Sequence, residues 1–264
     1  MKRRDFLAST AALLVATPLF AAEAGKGSLT LGAAINKAGR QRMLSQRMAK
    51  AFAMQAAGVM PDKAGSLLDH SRRLFEAQLA ELKTLAPSEA IQAALADLDK
   101  AWASYREVLA KPRTPENARL VLAESEKTLR AAHVLTGLYE KQSASSAGHL
   151  VNISGRQRML SQRMAKCFLF EQSGVAVDSL KVEQEAARRD FVAALAELNA
   201  APQNTAEIRT ELGLANTQWM FFEQALNGQE RNREIAARNV ATTSERILEV
   251  MDSLTGQYEK LVRG

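Results

Sequence analysis

A chain of 264 residues, 47% apolar and 5% aromatic, has the material for one large or two ordinary packed domains, and its wealth of Ala, Leu, Glu, Gln, Lys and Arg favours helix over strand. Its single cysteine, Cys167, excludes an intramolecular disulfide and any cysteine metal cluster. The formal charge of +6 is mild, and the basic residues lack the interleaved aromatics of a nucleic-acid surface, so nucleic acid is set aside as a partner.

The chain opens on Lys2-Arg3-Arg4-Asp5-Phe6-Leu7, then an apolar run from Ala8 to Phe20 and small residues at Ala22-Glu23-Ala24. This looks like a twin-arginine export signal over residues 1–24 and implies a periplasmic protein of charge +5 after cleavage. The apolar run falls short of the roughly 20 residues of a membrane span; an uncleaved N-terminal anchor is the alternative. From Ser28 to Ala57 apolar residues recur at helical spacing, ended by Gly58 and Pro61. A second helix is expected from about Lys63 to Ala86, closed by Pro87, with Ser88 as the next N-cap. The third carries Ile91, Leu95, Leu98, Trp102, Tyr105 and Leu109 in alternating steps of four and three, the pattern of a bundle helix. Thr114-Pro115 starts a fourth, an N-cap followed by proline at the first helical position.

From Ser143 the cycle repeats. The joint Ser143 to Gly148 reads either as a flexible link or as a continuation of helix four into helix five. Helices are expected at about Leu150 to Gln172 and Ser179 to Ala200, then a capping box at Asn204 and Glu207. The stripe Ile208, Leu212, Ala215, Trp219, Phe222 and Leu226 repeats Ile91 to Leu109 at an offset of 117. The last helix echoes Leu135-Thr136-Gly137-Leu138-Tyr139 as Leu254-Thr255-Gly256-Gln257-Tyr258, an offset of 119. No stretch alternates like a strand. The expected fold is all-α: two tandem antiparallel four-helix-bundle modules, residues 28–147 and 148–264.

The closest match between the halves is polar. Gly39-Arg40-Gln41-Arg42-Met43-Leu44-Ser45-Gln46-Arg47-Met48-Ala49-Lys50 recurs letter for letter as Gly155 to Lys166. Packing alone would preserve the apolar periodicity and let the polar positions drift. On a helical wheel Asn36, Gly39, Arg42, Gln46 and Lys50 share one side, and Arg42 lies at the edge of the apolar arc. A buried, unpaired charge costs several kcal/mol. No acidic residue occurs between Thr30 and Met60, so Arg42 must meet an anion, pair with a carboxylate of another helix, or snorkel to solvent. Gly39, one turn before it, leaves room for a ligand or a second backbone, and the guanidinium fork suits flat oxyanions.

The stretch Ile35 to Arg47 resembles the signature helix of the ligand-sensing domain in nitrate/nitrite sensor histidine kinases. The fuller Gly-Arg-Gln-Arg-Met-Leu-Ser-Gln-Arg-Met form is still more similar to the N-terminal, PilJ-type domain of type IV pilus methyl-accepting chemotaxis transducers. The resemblance implies a periplasmic four-helix sensor fold, with an anion held between two signature helices by the arginine of the Arg-Met pair and by backbone near the glycine. Carried onto this chain, that implicates Gly39 and Arg42 with Met43 and Gln46 beside them, and Gly155 and Arg158 with Met159 and Gln162. Two such helices in one chain would face their arginines across a pseudo-dimer interface. There they repel until an anion arrives, which couples occupancy to helix spacing.

Arg40, Arg47, Lys50 and their counterparts Arg156, Arg163 and Lys166 read as a solvated or partner-facing surface. Met43, Met48, Met159, Met164 and the two tryptophans read as core. His70, His133 and His149 have no metal-site spacing, and no nucleophile elbow, phosphate loop or paired catalytic carboxylates occur, so the chain is not expected to be an enzyme or to need a cofactor or metal. The expected function is an exported sensor-type protein that binds a small oxyanion, nitrate or nitrite, and presents its bound state to a membrane-bound sensor or transporter, with homo-oligomerisation a further expectation. The alternative is an interaction protein whose basic motif helices dock a membrane sensor or a pilus or envelope component.

Overall fold

The computed structural model describes residues 29–175, 177–228 and 230–262; the expected export signal lies outside them. Eight helices account for nearly all of the described chain: α1 (Leu31–Ala56), α2 (Pro61–Leu82), α3 (Glu89–Leu109), α4 (Pro115–Ser143), α5 (Ser146–Gln172), α6 (Ser179–Ala200), α7 (Ala206–Leu226) and α8 (Arg233–Val262). The starts follow local chemistry. Ser88 and Thr114 accept from Ile91 N and Asn117 N, both at 3.3 Å, and Pro115 stands at the first turn of α4, as expected. Pro61 begins α2 instead of merely ending α1, and α2 stops at Leu82, short of Ala86. The α7 cap is Thr205, not Asn204: Thr205 Oγ1 accepts from Ile208 N, while the Asn204 side chain is drawn inward to the Leu198 carbonyl and the Tyr258 hydroxyl. The joint at Ser143 is neither loose nor helical throughout. Ala144 turns left-handed at φ 46°, and Ser145 caps α5.

The helices form two four-helix-bundle-like modules, α1–α4 and α5–α8, packed side by side around one continuous hydrophobic core. Cross-helix bonds fix their directions. Arg40 reaches Asp252 and Lys50 reaches Ser244, so α1 and α8 are antiparallel. Gln162 bonds Ser244 and Arg158 bonds Asp252, so α5 and α8 are antiparallel as well. It follows that α1 and α5 run parallel, and no two helices share a larger contact. The four long helices α1, α4, α5 and α8 thus make a central bundle, with the α2–α3 and α6–α7 hairpins on its flanks.

Burial reports the same division. In α1, 20 of 26 residues are buried, against 7 of 22 in α2, so α1 is an interior helix and α2 a one-sided amphipathic one. Each flank has its own aromatic plug: Trp102 stacks on Phe75 with centroids 4.4 Å apart, and Trp219 on Phe191 at 4.3 Å. Emptying either site costs about 3–5 kcal/mol.

Candidate functional site: the polar seam between α1 and α5

An interior helix has to bury its polar residues together with its apolar ones, and the motif supplies many. Some are satisfied within the scaffold. Ser45 and Ser161 donate to the carbonyls of Arg42 and Arg158, at 2.7 and 2.9 Å. Gln46 and Gln162 donate to the backbones of Ser125 on α4 and Ser244 on α8. These bonds account for part of the polar identity of the two motif copies.

The arginines differ. Arg42 and Arg158 have no exposed surface and lie beside each other where α1 and α5 cross Gly39 and Gly155. A Cβ on Gly39 would stand 3.2 Å from Arg42 Nη2 and 3.6 Å from Arg158 Nη2; one on Gly155 would stand 3.0 Å from Arg158 Nη2 and 3.8 Å from Arg42 Nη2. The glycines make the space that both guanidinium groups occupy. Each arginine also reaches backwards across the seam: Arg158 Nη2 donates to the Asn36 carbonyl at 3.2 Å, and Arg42 Nη2 to the Asn152 carbonyl at 3.2 Å and its side-chain oxygen at 2.7 Å. The asparagines are held in turn by carboxylates, Asn36 by Glu259 at 2.6 Å and Asn152 by Glu140 at 2.5 Å.

The symmetry breaks at the next contact. Arg158 Nη1 donates to the Asp252 carboxylate, which also takes two bonds from Arg40. At the offset of 119, the α4 position that matches Asp252 is His133, and Arg42 Nη1 finds only its ring Nδ1, at 3.5 Å. Among the described residues Arg42 therefore has no carboxylate in direct contact; Glu140 acts on it at one remove, through Asn152. The Nε of both arginines and the side-chain oxygens of Asn36, Gln46 and Gln162 are buried without a hydrogen-bond partner among the described residues, an unusual concentration of unmet polar groups. Burial pulls Arg42 down to about 9, with Arg158 and Arg156 pushing the same way; burial pulls Arg158 to about 10 while Asp252 opposes it. Both remain cationic at neutral pH, so two like charges share one buried seam.

Further along the seam, the expectation of a solvated basic face is corrected. Lys50 and Lys166 are fully buried, and Arg47 and Arg163 largely so. Lys50 and Arg47 both grip Glu245 of α8, Lys50 at 2.5 Å; Lys166 and Arg163 grip Glu126 of α4, at 2.6 and 2.8 Å. Each pair crosses from one module to the other. These residues are clamps between modules, and sequence periodicity missed them because a wheel shows one helix and not the second helix laid against its polar side.

Of the expected site residues, Gly39, Arg42, Gly155 and Arg158 converge. Met43 and Met159 belong to the hydrophobic core, and Gln46 and Gln162 turn toward backbone. Asn36, Asn152, His133 and Asp252 were missed as site residues. The signal for the asparagines was present: Ile35-Asn36 and Val151-Asn152 are equivalent pairs. Among the described residues no group of histidines, cysteines and carboxylates could hold a metal, and no helix is long and apolar enough to cross a membrane.

Parallel interior helices that carry facing cations, with a second helix of each module closing the bundle, make this an all-α protein with a buried cationic seam. The chain matches the family described as type IV pili methyl-accepting chemotaxis transducer N-term, PilJ, over residues 26–129 and again over 140–248. It belongs to that family, whose sensor domains are non-catalytic and typically periplasmic. No curated protein and no solved structure gives a significant match.

Proposed function

We propose that this protein is an exported, periplasmic sensor-type binding protein that takes a small oxyanion, nitrate or nitrite, between Arg42 of α1 and Arg158 of α5, and passes its bound state to a membrane-bound partner. One observation carries the reading: two guanidinium groups are fully buried side by side, one of them touching no carboxylate. Such a charge costs several kcal/mol when left uncompensated, and a planar anion that takes two parallel hydrogen bonds would offset that cost. Because α1 and α5 belong to different modules, an anion drawn between their arginines would tighten one module against the other. That is a differential contact of the kind a population shift requires.

Isothermal titration of the mature protein with sodium nitrate, nitrite and chloride tests this. Heat from nitrate or nitrite that vanishes in Arg42→Met, in a variant whose circular dichroism is unchanged, supports the reading. No heat from any small anion overturns it and favours a docking role for the motif helices.

A further inference from the structure

The two arginines are not equivalent, and the inequality lies on the facing helices α4 and α8. Asp252 gives Arg158 a built-in carboxylate, a flat oxyanion already in place. His133, at the matching position on α4, offers Arg42 a ring nitrogen at 3.5 Å. That contact needs an unprotonated Nδ1, because the guanidinium can only donate. Partial burial and the nearby Arg42 and Arg156 charges favour the neutral imidazole and outweigh Glu140, which acts the other way.

Each of the two positions lines a cleft. On the α4–α5 side a cleft of about 500 Å³ is lined by His133 together with Arg130, Arg156, Arg163, Met159 and Glu126. On the α8 side a cleft of about 690 Å³ runs over Asp252 with Arg40, Lys260 and Glu207. In the first cleft Arg156 is paired with Asp190, and Arg163 with Glu126 and Glu183; in the second Arg40 is paired with Asp252, so paired charges line both and the contrast lies at His133 against Asp252. An anion that enters from the α8 side meets the Asp252 carboxylate, whereas one that enters from the α4–α5 side meets His133 in its place.

We infer that the seam is a one-anion, asymmetric site. Arg42 is its open arginine, reached from the α4–α5 cleft past His133. Arg158 is kept occupied by Asp252, and position 133 decides whether the protein binds an anion at all. The ligand class follows from the internal mimic: a planar monoanion of carboxylate shape, such as nitrate, nitrite or formate, in preference to tetrahedral sulfate. This rests on the anion-binding reading above and goes further by assigning the arginine, the side of approach and the deciding residue.

The test is His133→Asp, which gives Arg42 the carboxylate that Arg158 already has. Titrations with sodium nitrate, nitrite, formate and sulfate are run on the wild type, on His133→Asp, and on His133→Asn, which supplies no charge. The expected result is one anion per wild-type chain with sulfate the weakest. His133→Asp should lose at least tenfold in affinity while melting at a higher temperature, and His133→Asn should stay within about threefold of wild type. Wild-type binding that persists unchanged in His133→Asp, or two anions per chain, overturns the asymmetry and leaves the anion reading standing. Absence of binding in the wild type overturns both; a melting temperature of His133→Asp no higher than wild type also counts against an open Arg42.

Discussion

The first module's arginine and the second module's arginine occupy matching places and live in different electrostatic worlds. Arg158 is bonded to Asp252, Arg42 leans on His133, and nearly everything around them is the same: Asn36 with Glu259 mirrors Asn152 with Glu140, and Lys50 with Glu245 mirrors Lys166 with Glu126. Where both halves keep a cation and a carboxylate together, the pair serves the scaffold. Where one half keeps the cation and drops the carboxylate, the scaffold is worse off by the cost of an uncompensated buried charge. A buried cation that has a carboxylate in one half of a closely matching network and none in the other is therefore the place to look for function.

The comparison predicts its largest contrast between Asp252→Ala and His133→Ala. Removing Asp252 strips a fully buried guanidinium of its carboxylate, which costs about 3 kcal/mol, the low end of the usual range because the outer side of Asp252 already meets water. Removing His133 takes away one long contact on an exposed residue and should change stability by under about 0.5 kcal/mol. Urea unfolding of the two variants measures both. Equal losses would mean that His133 holds Arg42 as firmly as Asp252 holds Arg158.

A second experiment asks whether the asymmetry is local. Glu126→Gln and Glu245→Gln each take the shared carboxylate from one buried lysine and one arginine, but Arg163 keeps Glu183 as a second partner, so the losses should be about 2 and about 3 kcal/mol respectively. Acid sharpens the test. Burial alone would raise the Glu245 carboxyl, but Lys50 and Arg47 outweigh it and bring it from 4.5 to about 2. Its folded value lies below its unfolded one, so its contribution is complete above about 4.5 and fades as pH falls toward about 2. Glu126 is lowered as well, with burial again opposed by Lys166 and Arg163. Wild-type stability should fall through that window, and each Gln variant should fall less steeply. Identical acid profiles in wild type and Glu245→Gln would remove the clamp from the account.

The fold could be read from the chain because each helix advertises itself locally: Thr114-Pro115 starts α4, and the Trp102 and Trp219 stripes name the inner faces of α3 and α7. The four converging site residues were legible for a related reason, since Gly39, Arg42 and their counterparts sit inside a stretch repeated without change. What stayed hidden depends on a neighbouring helix. Lys50 looks like a surface residue until α8 is laid against it, and His133 looks like a stray histidine until the offset of 119 sets it opposite Asp252. Periodicity describes one helix at a time, and the deciding contacts here are made by pairs of helices.

The smallest predicted contrast concerns the two glycines. In a helix interior Gly→Ala gains about 1 kcal/mol of propensity, and at both sites the new Cβ meets its own module's arginine, at 3.2 Å from Arg42 Nη2 or 3.0 Å from Arg158 Nη2. Both distances require the guanidinium to move by a few tenths of an ångström. Arg158 is pinned by Asp252 and the Asn36 carbonyl, so in Gly155→Ala the strain should outweigh the propensity gain and cost about 1 kcal/mol. Arg42 is held at Nη2 by Asn152 but has no carboxylate on Nη1, and its contact with the new Cβ is the longer of the two, so Gly39→Ala should strain less and be neutral within about 0.5 kcal/mol. Thermal melts of the two variants read this difference as a few degrees. The same substitution should also invert under ligand: with nitrate at saturation Arg42 would be pinned in its turn, and Gly39→Ala should then become the costlier of the two.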